Sequence, residues 1–173
     1  MIVAALALSA GAIGIVLAIA AGRQASVAPV AIAAAPAPAA RSAECRSLLA
    51  ALPEALGEFS RAAVAEPAPD GAAAWRDSRG RGGADPAEPV ILRCGLQRPA
   101  EFVPGTPLQM VDDVGWLRLD DPDTRRSTWV CVDRPVYVAL TLPGGSGPTP
   151  IQTLSATIAA TMPAIPIRPR AAG

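Results

Sequence analysis

The chain has 173 residues, with fifteen arginines, fifteen acidic residues, no lysine and no histidine, so its formal net charge is zero. Without histidine there is no Ser-His-Asp or Cys-His catalysis and no histidine-ligated zinc; without lysine there is no P-loop and no Schiff base. Three cysteines with no Cys-x-x-Cys exclude thioredoxin-like and zinc-ribbon sites, and the neutral balance gives no support for a nucleic-acid surface, so no nucleic-acid partner, cofactor or metal is expected.

Residues 2–22 carry no charge, no proline and one polar side chain, Ser9. As a helix they would span about 31 Å, the thickness of a bilayer's hydrocarbon core. A transmembrane anchor is expected here, with the N-terminus inside and the domain outside. The alternative is a secretory signal cleaved after Ala18-Ile19-Ala20, which would release the protein. Residues 23–43 read as an Ala/Pro linker: Pro29, Pro36 and Pro38 disfavour helix, and an extended tether of this kind reaches about 60 Å.

The folded domain is expected over residues 44–162. Leu48, Leu49, Leu52, Leu56, Phe59 and Ala63 recur at helical spacing from about Glu44, with Pro53 either kinking the helix or starting a second one. Between Glu66 and Pro89 proline and glycine signal a loop that contains Trp75, Arg76, Arg79 and Arg81. The clearest strand follows, Val90 to Leu96, with Val90, Leu92, Cys94 and Leu96 sharing a core-facing side. Leu108–Val111 and Val114–Leu119 form a hairpin about Asp112-Asp113, and Ser127–Val132 and Val136–Leu142 are two further strands. A last helix begins at Thr149 as N-cap, with Pro150 at its first position and Gln152 completing a capping box. Its apolar stripe is Ile151, Leu154, Ile158 and Met162, and the proline-rich tail from Pro163 to Gly173 reads as disordered. Helix, four or five strands and helix make an α+β fold: a small, mostly antiparallel sheet with both helices on one face.

No catalytic residues emerge. The run Asp112, Asp113, Asp120, Asp121 and Asp123 lacks the spacing and turn glycine of a calcium loop, and turn aspartates commonly bond their own backbone. A hydrolase using paired carboxylates would need two of Asp112, Asp113, Asp120, Asp121 or Glu101 in one pocket. Ser146 has no histidine to activate it. Trp116, Trp129 and Tyr137 on neighbouring strands suit an aromatic ligand platform or, more commonly, core and cross-strand pairs.

Several short elements come in a characteristic order: Cys45-Arg46-Ser47-Leu48 with Leu52-Pro53, Ala74-Trp75, Val90-Ile91-Leu92-Arg93-Cys94-Gly95, Val114-Gly115-Trp116, and Asp133-Arg134-Pro135-Val136-Tyr137-Val138. Over about residues 44–160 the chain thereby resembles an actinobacterial envelope family known as domain of unknown function 3515. The resemblance implies one small membrane-anchored or secreted domain with no assigned activity. Two departures are visible: Arg76-Asp77 follows Trp75 where Gly-Asp-Pro belongs, and Cys131 is additional.

Position along the elements assigns the cysteines. Cys45 stands just before the Leu48/Leu52 stripe and Cys94 on the core side of its strand, so these two are expected to be bonded, leaving Cys131 as a packed thiol. A Cys94–Cys131 pair across neighbouring strands is the competing arrangement. The expected function is that of a membrane-anchored extracytoplasmic accessory or binding module of the bacterial cell envelope. The membrane would be its partner through residues 2–22, together with an envelope protein or cell-wall component of unknown identity.

Overall fold

The computed structural model describes residues 28–78 and 88–170. The apolar stretch 2–22, together with Arg79 and Arg81, lies outside them. Among the described residues no helix is long and apolar enough to cross a membrane. The elements run α1 (Ala43–Ala51), β1 (Ala55–Leu56), β2 (Phe59–Ala62), β3 (Ala72–Asp77), β4 (Val90–Leu96), β5 (Gln109–Val111), β6 (Val114–Asp121), β7 (Arg126–Cys131), β8 (Tyr137–Leu142) and α2 (Thr149–Thr161). They build one antiparallel sheet of eight strands, in the order β1-β2-β3-β4-β8-β7-β6-β5. Two four-strand meanders are thus joined at their last strands, β4 against β8, an α+β architecture with more strands than the sequence suggested.

Both helices cover one face. Leu48 and Cys45 from α1 and Ile151, Leu154 and Ile158 from α2 share a core with Trp75, Leu92, Trp116, Trp129, Val138 and Leu140 from the sheet. Burying a side chain of this size contributes roughly 1.5–3 kcal/mol, so this layer is the main source of stability. Trp116 is fully enclosed, and its indole Nε1 donates to Ser155 Oγ at 3.0 Å. Ser155 Oγ in turn donates to Ile151 O at 2.8 Å, which satisfies the buried hydroxyl.

Three expectations about single elements change. The helix does not run through Pro53: Leu52 already has an extended ψ of 133°, as a residue before proline prefers. Residues 55–62 are instead the β1–β2 hairpin, turning through Gly57 at φ +62°. Leu56 and Phe59 looked helical because they are direct cross-strand partners and therefore face the same way. Trp75 sits in β3, not in a loop, and its Nε1 donates to Pro53 O at 3.1 Å. The capping box is absent as well, because Pro148 holds the N-cap position and makes no side-chain bond. The methyl of Thr149 packs over Gly57 instead, where a Cβ would come within 3.1 Å of it.

The segments read as linker and tail belong to the domain wherever they are described. Val30 forms a parallel bridge with Val64, donating to Ala63 O at 2.8 Å and accepting from Ala65 N at 2.9 Å. Val30 and Ile32 bury Ala74 and Ile91 on the face away from the helices. Proline and alanine make this stretch extended, but extension alone does not say whether a chain is free or docked. At the other end, Ile165 N donates to Asp133 O at 2.9 Å and Arg170 N to Phe102 O at 3.0 Å, so residues 163–170 strap the same outer face. There Phe102, Leu117, Val130, Val132 and Ala139 make a second core.

Gly95 explains why Leu96 leaves the helix-side core. The pairing of β4 with β8 shifts between Cys94 and Leu96, and Gly95 has φ +83°. This bulge turns Leu96 to the outer face. It also admits the N-terminal segment, because Ala39 N donates to Gly95 O at 3.1 Å and any Cβ on Gly95 would overlap the backbone of Ala39 and Ala40. Gly95→Ala is therefore expected to cost roughly 2–3 kcal/mol in urea unfolding, from left-handed strain plus forced displacement. A loss under about 0.5 kcal/mol would mean that the segment yields freely.

Candidate functional site

An open groove of about 760 Å³ lies on the helix side of the sheet. It runs along β6 from the Asp112 turn to the glycine-rich loop 143–148, with Ile151 and Gln152 of α2 on its far wall. Strand register puts Arg118 of β6 directly opposite Trp129 of β7. The Arg118 guanidinium lies over the indole, 5.3 Å from the ring centroid, and its Nε is 2.8 Å from Asp120 Oδ1. Trp129 Nε1 donates to Ser127 Oγ at 3.2 Å. Arg125, at φ +55°, packs its carbonyl against Gly144, and Arg126 reaches toward Glu88 at 3.2 Å. Gln109 and Met110 of the edge strand β5 form the near wall, with Met110 62% exposed. The arrangement offers donors, acceptors and apolar surface along a channel, with arginine and aspartate in balance.

The acidic residues divide. Asp112, Asp120 and Asp121 line the groove, whereas Asp113, Asp123 and Glu101 do not. Asp121 Oδ1 accepts from the Asp123 and Thr124 amides at 3.0 and 3.2 Å, closing its own turn. Hydrogen bonds from the Thr124 side chain and amide hold its carboxyl below the ordinary aspartate range. A general acid needs the opposite shift. No group of three or more acidic or thiol side chains suited to a metal ion occurs among the described residues. Ser146 Oγ donates to Pro143 O at 2.6 Å and serves its loop.

The aromatic platform does not form, because the three rings are separated. Trp116 is sealed under α2, Trp129 floors the groove beneath Arg118, and Tyr137 lies on the outer face. There it meets Phe102 edge-on at 6.5 Å, and its hydroxyl accepts from Arg98 Nε at 2.9 Å. Arg118 was not singled out from the sequence, and Gln152 only as a capping residue. Arg118 was within reach of it, since alternation along β6 from Trp116 already puts residue 118 on the helix side.

At the other end of β7 lies a buried polar cluster. Asp133 and Arg134 are 6% and 4% exposed, and Arg134 Nη1 is 3.0 Å from Asp133 Oδ2. The same carboxylate oxygen accepts from Gly115 N at 2.7 Å, and Arg134 Nη2 donates to Asp113 O at 2.8 Å. Cys131 Sγ lies 3.5 Å from Asp133 Oδ1. Burial first, and the Asp133 carboxylate second, push the thiol up to about 12, so it is an inert packed cysteine. Cys45 and Cys94 are joined by a disulfide, with their Cα atoms 5.7 Å apart.

These features define a class: a single disulfide-tied α+β domain with a polar groove and a structural Asp-Arg pair. The family follows from the sequence match. The chain belongs to the family described as protein of unknown function DUF3515, whose model matches residues 2–167 and so takes in the apolar stretch as well as the domain. No curated protein and no solved structure matches it.

Proposed function

We propose that this protein is a membrane-anchored extracytoplasmic binding or accessory module of the bacterial cell envelope, with the groove along β6 as its ligand surface. The observation that carries the location is the Cys45–Cys94 disulfide, which lies within the main core and ties α1 to β4. Such bonds persist in oxidising compartments and are rare in the bacterial cytosol. The uncharged stretch 2–22 supports the anchor, and it falls within the family match. For the groove, an elongated open channel with balanced charge and a tryptophan floor suits a polar, chain-like ligand better than a compact ion. The carboxylate-pair hydrolase finds less support: Asp120 is engaged by Arg118 and Asp121 by its own turn.

The test is orientation. A cysteine introduced as Met110→Cys, on an exposed edge position, should react with an impermeant maleimide on intact, wall-stripped cells. Labelling that requires lysis would place the domain inside and end this reading.

A further inference from the structure

Docking of the N-terminal segment removes the long tether that composition suggests. With Val30 bridged to Val64, only residues 23–27 separate the apolar stretch from the domain. Five extended residues reach at most about 18 Å. The headgroup layer takes up roughly 6 Å of that.

The side of entry is fixed too. Val30 runs parallel to Val64, so Ala28 lies beside Ala62, and Arg76 Nη2 donates to Ala28 O at 3.2 Å. From Ala62 a continuous row of paired residues crosses the sheet through Ala74, Ile91, Thr141 and Thr128 to Leu119. Beyond that row, on the side from which the chain enters, stand Arg76, the 121–126 turn and the 143–148 loop. The last two also close one end of the groove. The opposite end, at Asp112-Asp113, is the length of β6 away, about 27 Å.

We propose that the domain lies directly against the outer leaflet, with the margin formed by Arg76, the 121–126 turn and the 143–148 loop facing the lipid headgroups, so that the groove ends at the membrane surface. This rests on the membrane-anchored reading above. The partner is the zwitterionic or anionic headgroup layer. Arg125 is exposed at the turn and makes no ion pair among the described residues, so it can meet a phosphate. Asp121 and Asp123 share that turn, so among the described residues the margin is not a basic patch. The short tether, not net charge, holds the surfaces together, and the contact should survive raised salt.

The experiment uses the full chain in phosphatidylcholine vesicles containing a headgroup-spin-labelled lipid. A fluorophore is attached through Asp123→Cys or, separately, Asp113→Cys; Cys131 is buried and does not compete for the label. Quenching should be several-fold stronger at position 123 than at 113. A flexible Gly/Ser insert of about 20 residues between Val27 and Ala28, spanning about 25 Å, should erase the difference while the protein still floats with the vesicles. Equal quenching at both positions in floating protein overturns the apposition and leaves the anchor standing. Protein that does not float overturns the anchor, and the apposition with it.

Discussion

Asp133→Ala is expected to lower the unfolding free energy by about 3–5 kcal/mol, the usual cost of stripping one partner from a buried ion pair. The Arg134 guanidinium would keep its two bonds to backbone carbonyls but lose its carboxylate, and Gly115 N would lose its acceptor. Arg134 Nε already has no partner among the described residues, so the group has little else to turn to. The pair also joins distant pieces of chain. Through Gly115 and Asp113 it holds the β5–β6 hairpin, and Asp133 O receives Ile165 from the terminal strap. Removing both charges together, as Asp133→Asn with Arg134→Met, should cost clearly less than the single change, because no lone charge stays buried. Urea unfolding of the three proteins decides it. A single variant within about 1 kcal/mol of wild type would show that the site rehydrates and that the pair matters little.

Loss of the disulfide is expected to be comparable. Cys45 and Cys94 are separated by 49 positions, so opening the bond frees a loop worth about 4 kcal/mol of unfolded-state entropy. For a domain of this size, Cys45→Ser with Cys94→Ser should lower the melting temperature by about 12–20 °C. Reduction of the wild-type protein should do the same. Because α1 packs over the sheet through Leu48 and Leu52, the reduced domain keeps an apolar reason to stay closed. A drop of less than about 4 °C would mean that this packing alone defines the position of α1. Non-reducing peptide mapping supplies the control: any linked peptide containing Cys131 contradicts the bond described.

The sequence by itself determined the parts whose signal is local. β4 falls where a run of β-branched and aliphatic residues bounded by Pro89 places it, and the β5–β6 hairpin turns at Asp112-Asp113 as alternation requires. The four-residue stripe of α2 is buried in full, since one amphipathic helix laid on a sheet has only one way to hide it. The opposition of Trp129 and Cys131 to Val130 and Val132 follows from the two-residue period of a strand.

Only the tertiary structure decided what depends on distant partners. Leu56 and Phe59 fit a helix equally well until Gly57 turns the chain back on itself. The alanines of β3 carry little strand preference, and they form a strand because β2 and β4 flank it and Val30 and Ile32 need small residues beneath them. Ala/Pro composition gave residues 28–37 an extended form, and the glycine bulge at Gly95 gave the turn that follows a place to dock. The groove is likewise a product of assembly. Arg118 meets Trp129 only in the β6–β7 register, and α2 closes the far wall from more than twenty residues further along the chain. Periodicity records which way a side chain faces, whereas a site needs to know what it faces, and that information is held in the pairing of the sheet.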